Sequence, residues 1–417
     1  MLFLTAIVSK AFKYFILSPI YIYLFFYYAV IILSVLYYYF YENKFSFYNV
    51  DKATNTDFLY SLKFYIIANI FFLIGCIFFY DLSKKQNKKL FNSKLDYTVF
   101  VKYKIPPYLM KVTNVIALIV SACYILTYGQ GILYRTEYIP DLDFKFLVSI
   151  AKVLSFLAAI FLGLLYQKNK AKSIIAFLGL LLLTMSTGSR VTFLLLMIYL
   201  LVVFQTSGNT SKNKIRFFIQ LILSFVFMSY VFGLRKLPTH GLGPYLASIL
   251  DPESGYDNSV AINIYYTFIF GFFVTIRTIN EAVQDWNVIL VSINPLPGSM
   301  VGWYNYAPNL RINLYAPYTL HGQVFNMGIT FTCLFFLIIG LIFSYFEQKV
   351  RFYLVNNQRG ISLVIVLLTA LFIFYSYEYY LRSALRYLYY AFFILYFYVL
   401  VSYFVKIILK RKKVPHD

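Results

Sequence analysis

The stretch STGSRVTFLLLMIYLLVVF, residues 186–204, sets a single arginine, Arg190, between two apolar runs. AFLGLLLLTM (176–185) precedes it and VTFLLLMIYLLVVF (191–204) follows. A guanidinium at the centre of a bilayer is costly and marks function, whereas one at a membrane surface is ordinary. Thr187, Gly188 and Ser189 supply turn chemistry, so the two runs read as two helices joined by a tight turn. Arg190 then sits at a membrane boundary, and the fold is an all-α polytopic membrane protein.

Composition agrees with this reading. The chain of 417 residues is 61% hydrophobic and 13% charged, with mean hydropathy +0.71, outside the soluble range. The first apolar segment is followed by aromatics rather than a small-residue cleavage site, so it reads as an anchor. The net charge of +21 does not indicate nucleic acid, because most lysines flank apolar spans. Cys76, Cys123 and Cys333 all lie in apolar runs, which argues against a disulfide framework or a thiolate metal site.

Hydropathy predicts about ten spans, near 19–40, 60–80, 108–128, 145–166, 172–187, 191–206, 216–234, 324–346, 360–379 and 385–408. A count of twelve stays open. Alternate loops then sort by charge. Loop 81–106 carries Lys84, Lys85, Lys88, Lys89, Lys94, Lys102 and Lys104, and loops 167–171, 207–215 and 347–359 are also basic, as is the tail from Lys410. All fall on one side if both termini are cytoplasmic. Loop 129–144 contrasts, with Glu137, Asp141 and Asp143 against Arg135. From Ile361 to Val414 there is no Gly or Pro, yet one helix over 361–409 is roughly twice the bilayer core. A break is therefore predicted in SYEYYLRSALRY (376–387). Glu378, Arg382 and Arg386 share one stripe if the helix persists there.

Three regions follow: 1–234 as an N-terminal bundle, 235–323 as an outer loop, and 324–417 as closing helices with a basic tail. The loop holds Pro238, Pro244, Pro252, Pro295, Pro297, Pro308 and Pro317, which exclude one long helix. Its segment AINIYYTFIFGFFVTI (261–276) reads as interfacial or re-entrant. Cations collect in and around the loop: Arg235 and Lys236 open it, Arg277 and Arg311 lie within it, and His321 closes it. If Thr319 is the N-cap, His321 lies in the first turn of span eight, near the positive end of the helix dipole. Together these residues read as an anion-binding vestibule beside lipid, which suits a polyprenyl pyrophosphate held by arginine forks.

STGSR (186–190), LRK (234–236) and LHGQVFNMGITF (320–331), with many spans, a late outer loop and a closing span pair, resemble the O-antigen (oligosaccharide repeat-unit) polymerases of the Wzy type. The resemblance extends more distantly to the O-antigen ligases. It implies a GT-C-like fold in the bacterial cytoplasmic membrane and metal-independent inverting glycosyl transfer without a cofactor. A glycan on undecaprenyl pyrophosphate would be the donor and one lipid-linked repeat unit the acceptor, with a possible chain-length regulator as partner. Arg190, Arg235, Lys236, Arg277, Arg311, Arg382 and Arg386 would bind pyrophosphate or glycan, and His321 would be the base.

Two other readings compete. A metal-dependent GT-C glycosyltransferase using polyprenyl-phosphate sugars could hold its ion at Asp141 and Asp143. A lipid-linked oligosaccharide flippase or other transporter would need mid-membrane charge, which is scarce in the sequence.

Overall fold

The computed structural model describes residues 2–13, 17–41, 53–92, 106–138, 140, 144–189, 191–207, 210–234, 237–250, 264–282, 284–313 and 316–411. Its principal helices are α1 (Leu2–Ala11), α2 (Pro19–Phe40), α3 (Asn55–Asn92), α4 (Leu109–Tyr128), α5 (Lys145–Leu165), α6 (Lys170–Met185), α7 (Val191–Thr206), α8 (Ser211–Gly233), α9 (Leu242–Leu250), α10 (Phe270–Glu281), α11 (Trp286–Ile293), α12 (Leu320–Asn326), α13 (Ile329–Val355), α14 (Arg359–Glu378) and α15 (Leu381–Arg411). A short antiparallel hairpin pairs β1 (Arg311–Asn313) with β2 (Ala316–Pro317).

The chain is an all-α multi-pass membrane protein. The predicted spans fall on helices except that 324–346 is interrupted at Met327–Gly328, and among the described residues seven helices are long and apolar enough to cross a bilayer. These are α2, α3, α4, α5, α13, α14 and α15. The two helices flanking the 186–190 turn, α6 and α7, have 16 residues each. At about 1.5 Å per residue each is roughly 24 Å long, short of the ~30 Å hydrocarbon layer.

Contacts divide the chain into two compact units, Met1–Leu95 with Tyr265–Asp417, and Asp96–Ile264. The segment 235–323 is thus split between them at 264/265.

In the first unit α2 runs antiparallel to α3 and α13, which are parallel to each other. Ser18 meets Glu347 at one end of these helices, Tyr23 stacks on Phe72 and packs on Phe343 further in, and Tyr38 stacks on Phe58 at the other end. The α3–α13 crossing is set by two glycines. A Cβ on Gly75 would overlap the Leu337 carbonyl, and one on Gly340 would overlap the Phe72 carbonyl. Small residues let membrane helices approach until dispersion contacts hold them.

Of the apolar segment 261–276, expected to be interfacial or re-entrant, residues 264–276 are described. A π-helical turn, Tyr265–Ile269, leads into α10, and Gly271, Phe272, Phe273, Val274, Thr275, Ile276 and Thr278 are buried. Neighbouring helices cover it, and a Cβ at Gly271 would overlap the Tyr377 carbonyl. The predicted break in 376–387 is present: α14 ends at Glu378 and α15 starts at Leu381. A second break was not predicted. Thr319 does cap a helix, its side chain accepting from Gly322 N–H, but that helix stops at Asn326. Gly328, at φ 91°, turns the chain before α13 begins at Ile329. A φ of this sign favours glycine.

In the second unit Tyr124, Ala158, Ala159, Phe177, Leu195 and Tyr199 form a core, with Phe177 stacked on Tyr199 at 3.9 Å. The α6–α7 turn is held from outside the two helices. The Gly188 (φ 64°) carbonyl accepts from the Tyr138 hydroxyl at 3.0 Å, and a Cβ there would come within 2.7 Å of the Tyr138 ring.

Candidate functional site

The helix directions in the first unit place its charges at two ends. The C-terminal ends of α3, α13 and α15 and the start of α14 carry Lys84, Lys349, Arg359, Lys410 and Arg411, and this is the basic end. The opposite end carries Asp57, Arg277, Glu281, Arg311, His321, Glu378, Arg382 and Arg386.

His321 is 1% exposed and lies in an aromatic box. Tyr377 stacks on it at 4.4 Å and Phe336 at 5.5 Å, while Tyr65 and Phe325 close the sides at 5.1 and 5.7 Å. Its Nδ1 is 3.0 Å from the Ser376 carbonyl. A carbonyl only accepts, so Nδ1 carries the proton and Nε2 is the basic nitrogen. Burial pushes the imidazole pKa down to about 4, against an upward pull from the Ser376 carbonyl. The ring is therefore neutral near pH 7, through desolvation rather than the helix dipole. In this conformation it is enclosed by protein and meets no solvent-borne hydroxyl.

The other polar residues of LHGQVFN explain why the histidine is there. The Thr319 hydroxyl lies 2.7 Å from that of Thr275, to which Tyr65 also donates. Gly322 lets α12 approach Thr278, whose Cβ would lie 2.7 Å from an added methyl. Gln323 accepts from Leu381 N–H at 2.8 Å, and Leu320 N–H donates to the Tyr379 carbonyl at 2.9 Å. Asn326 donates to the carbonyls of Thr278, Ile279 and Ala282, capping α10. The segment is a hub joining α10, α12 and the α14–α15 break.

The helix that carries Arg277, α10, packs against the strand that carries Arg311, β1. Arg277 forms an ion pair with Glu281 at 2.8 Å, with the two side chains 37% and 42% exposed. Asp57, which accepts from Asn280 at 2.9 Å, lies within electrostatic reach of Arg277. Half of the expected anion grip at this position is thus already committed to carboxylates. Arg311 is half-buried and, among the described residues, has no carboxylate within ion-pair distance. The Nε atoms of both arginines are buried without a hydrogen-bond partner.

Arg382 and Arg386 are separated by their surroundings. The Glu378–Arg382–Arg386 stripe does not form, because the helix breaks at Tyr379–Tyr380. Arg382 is 2% exposed. Its Nη1 donates to the carbonyls of Val291 (2.5 Å) and Asn294 (2.9 Å), and its Nη2 to that of Leu296. Its guanidinium lies 5.6 Å from the Trp303 ring. These carbonyls lie at and just beyond the end of α11, whose dipole favours a cation there. Arg382 is therefore a cap for α11, not an open anion ligand. Arg386, one turn on, stays partly exposed.

The second unit holds a site that the sequence does not advertise. Arg135, only 8% exposed, exchanges backbone hydrogen bonds of 2.7 Å with His240. Its Nη1 donates to the carbonyls of Gly131 (2.9 Å) and Ser186 (2.8 Å), and its Nε to that of Glu137. His240 Nδ1 is 3.1 Å from the Tyr245 hydroxyl, and burial followed by the nearby Arg135 guanidinium lowers its pKa. Arg135 thus ties the 186–189 turn to the 240–245 segment. Read from sequence it is merely the odd cation of an acidic loop. The pairing with His240, 105 positions away, has no local signature. Arg190, Arg235 and Lys236, with Asp141 and Asp143 of the metal-dependent alternative, lie outside the described residues.

No protein-family model, curated protein or solved structure matches this chain.

Proposed function

We propose that the chain joins lipid-linked oligosaccharide repeat units into a longer glycan, with undecaprenyl pyrophosphate as the leaving group, on the membrane face away from the basic end. The observation that carries the reading is the pair Arg311 and Arg277. Two packed elements carry the two arginines at one end of a membrane bundle, and among the described residues one of them has no carboxylate partner. Such a pair suits a lipid pyrophosphate, which has its tail in the bilayer and its charge at the surface. In the reaction an acceptor hydroxyl attacks the anomeric carbon. The bond from that carbon to the pyrophosphate oxygen breaks, its electron pair leaves with the pyrophosphate, and the acceptor proton passes to water or to the departing phosphate. The arginines stabilise the charge that grows on the leaving group. His321 acts through position: it holds the Ser376 carbonyl, and with it the α14–α15 break, beside α12. This reading keeps the ten-span count, the GT-C-like fold, the cytoplasmic termini and the bacterial cytoplasmic membrane.

The test uses purified chain and a lipid-linked repeat unit, with products resolved by length. Arg311→Ala should lower polymer formation roughly tenfold to a hundredfold at equal protein level, since a charge-assisted contact contributes about 1.5–3 kcal/mol. Arg311→Lys should restore part of it. Failure of the wild-type chain to lengthen the glycan would refute the reading.

A transporter of lipid-linked glycans is the second reading, and one observation favours it. The buried interior of the first unit is more polar than its sequence looks. Glu347 and Arg351 pair at 2.7 Å with side chains 0% and 1% exposed, and the Tyr23 hydroxyl, the Tyr377 hydroxyl and both amide atoms of Asn69 are buried without partners. Movement of the lipid-linked unit across vesicles without new glycosidic bonds would select this reading.

A further inference from the structure

At the basic end of the first unit a cleft of about 320 Å³ opens between α13 and α15. One wall is the α13 face Tyr345, Lys349 and Tyr353, spaced i, i+4, i+8. The other is the α15 face Phe392, Tyr396 and Val399. Phe392 stacks on Tyr345 at 5.8 Å and forms the floor. The Lys349 ammonium lies 5.2 Å from the Tyr345 ring centroid and, among the described residues, is the one charge in the lining. Tyr396 and Val399 are 67% and 55% exposed, so the cleft opens away from the bundle.

Depth follows from the helices. Both α13 and α15 start at the end opposite the basic one. At about 1.5 Å per residue, Lys349 lies ~30 Å along α13, and Val399 lies ~27 Å along α15. In a hydrocarbon layer of ~30 Å, Lys349 and Val399 are at headgroup level, and Phe392, packed on Tyr345 one helical turn before Lys349, lies about 6 Å deeper. The cleft thus has a cationic mouth at the interface and an aromatic floor reaching into the acyl region. The nearest acid along α13, Glu347, is buried on Arg351 and does not neutralise Lys349.

We propose that this cleft binds one anionic phospholipid, with its phosphate at Lys349 and an acyl chain along the aromatic wall to Phe392. Charge complementarity at the mouth selects the anionic headgroup, and the lipid-facing opening admits the chain. The site is separate from Arg277 and Arg311, which lie on α10 and β1 at the other end of the first unit, and it does not depend on the proposed glycan chemistry.

The probe is phosphatidylglycerol, compared with phosphatidylcholine, titrated onto the delipidated full chain and followed by native mass spectrometry. The first bound phosphatidylglycerol should be favoured about fivefold, the effect of one lysine near a charged headgroup. Lys349→Gln should abolish that preference. Lys84→Gln should retain it, because Lys84 is also at the basic end but does not line the cleft. A photoreactive phosphatidylglycerol on the wild-type chain should label 345–353 and 392–399. Equal preference in wild type and Lys349→Gln would overturn the proposal, as would equal loss in both variants or labelling confined to other segments. Displacement of phosphatidylglycerol by a lower concentration of polyprenyl phosphate would assign the cleft to that lipid instead and also overturn it.

Discussion

Glu347 and Arg351 offer the sharpest test of how the first unit is held together. The two residues are i, i+4 on α13. Arg351 Nε donates to Glu347 Oε1 at 2.7 Å, and its Nη2 to the Lys13 carbonyl at 2.5 Å. Ser18 Oγ donates to the other carboxylate oxygen, Oε2, at 2.6 Å. The pair therefore joins α13 to the chain just before α2. Removing one partner leaves the other charge buried and unpaired, a loss of about 3–5 kcal/mol. Glu347→Ala and Arg351→Ala should each destabilise by that amount. The double variant Glu347→Leu with Arg351→Met removes both charges and keeps the volume, so it should fall within about 1–2 kcal/mol of wild type. Reversible unfolding of the purified chain in mixed micelles measures wild type and the three variants. Limited proteolysis of residues 1–13 gives a second readout, since each single variant loses one of the two anchors to this region. Single variants within about 1 kcal/mol of wild type would refute the reasoning, as would a double variant as unstable as the sum of the singles.

Three other outcomes follow from the geometry. Gly340→Ala should destabilise by about 1–3 kcal/mol or more, because the added methyl meets the Phe72 backbone rather than a side chain that could move; micellar unfolding checks it. Arg382→Ala should destabilise by about 1–3 kcal/mol for each carbonyl among Val291, Asn294 and Leu296 left without a donor, and hydrogen exchange should rise in 286–296. The His321 pKa of about 4 lies below the unfolded value near 6.5, so the unfolded chain takes up protons first as pH falls. Stability should be unaffected by this group above pH 6.5 and decline from there to about 4. His321→Phe should remove that decline while leaving the Ser376 carbonyl without its donor. A pH profile of unfolding identical in wild type and His321→Phe would contradict the buried neutral imidazole.

Much of the architecture follows from the sequence alone, because insertion of a helix into a bilayer depends on that helix's own residues. Twenty apolar side chains in a row carry their transfer free energy wherever they end up, and hydropathy therefore locates α2, α4, α5 and α14 almost to the residue. The break at 379–380 follows from length against bilayer thickness. The Thr319 cap is local, since its acceptor and donor are three residues apart. The fate of each charged side chain is different in kind. Arg382 and Arg386 sit four residues apart on one helix and look alike in sequence. Only the arrival of the α11 terminus and Trp303 turns the first into a buried cap and leaves the second partly open. Arg351 reads as a loop cation until Ser18 and Lys13 close around Glu347. Arg135 reads as an acidic loop's lone base until His240 and Ser186 reach it. His321 reads as an exposed base until Tyr65, Phe336 and Tyr377, from three separate helices, exclude water from it. Desolvation and hydrogen-bond partners are properties of a neighbourhood, and a neighbourhood assembled from distant segments is decided only when the helices pack.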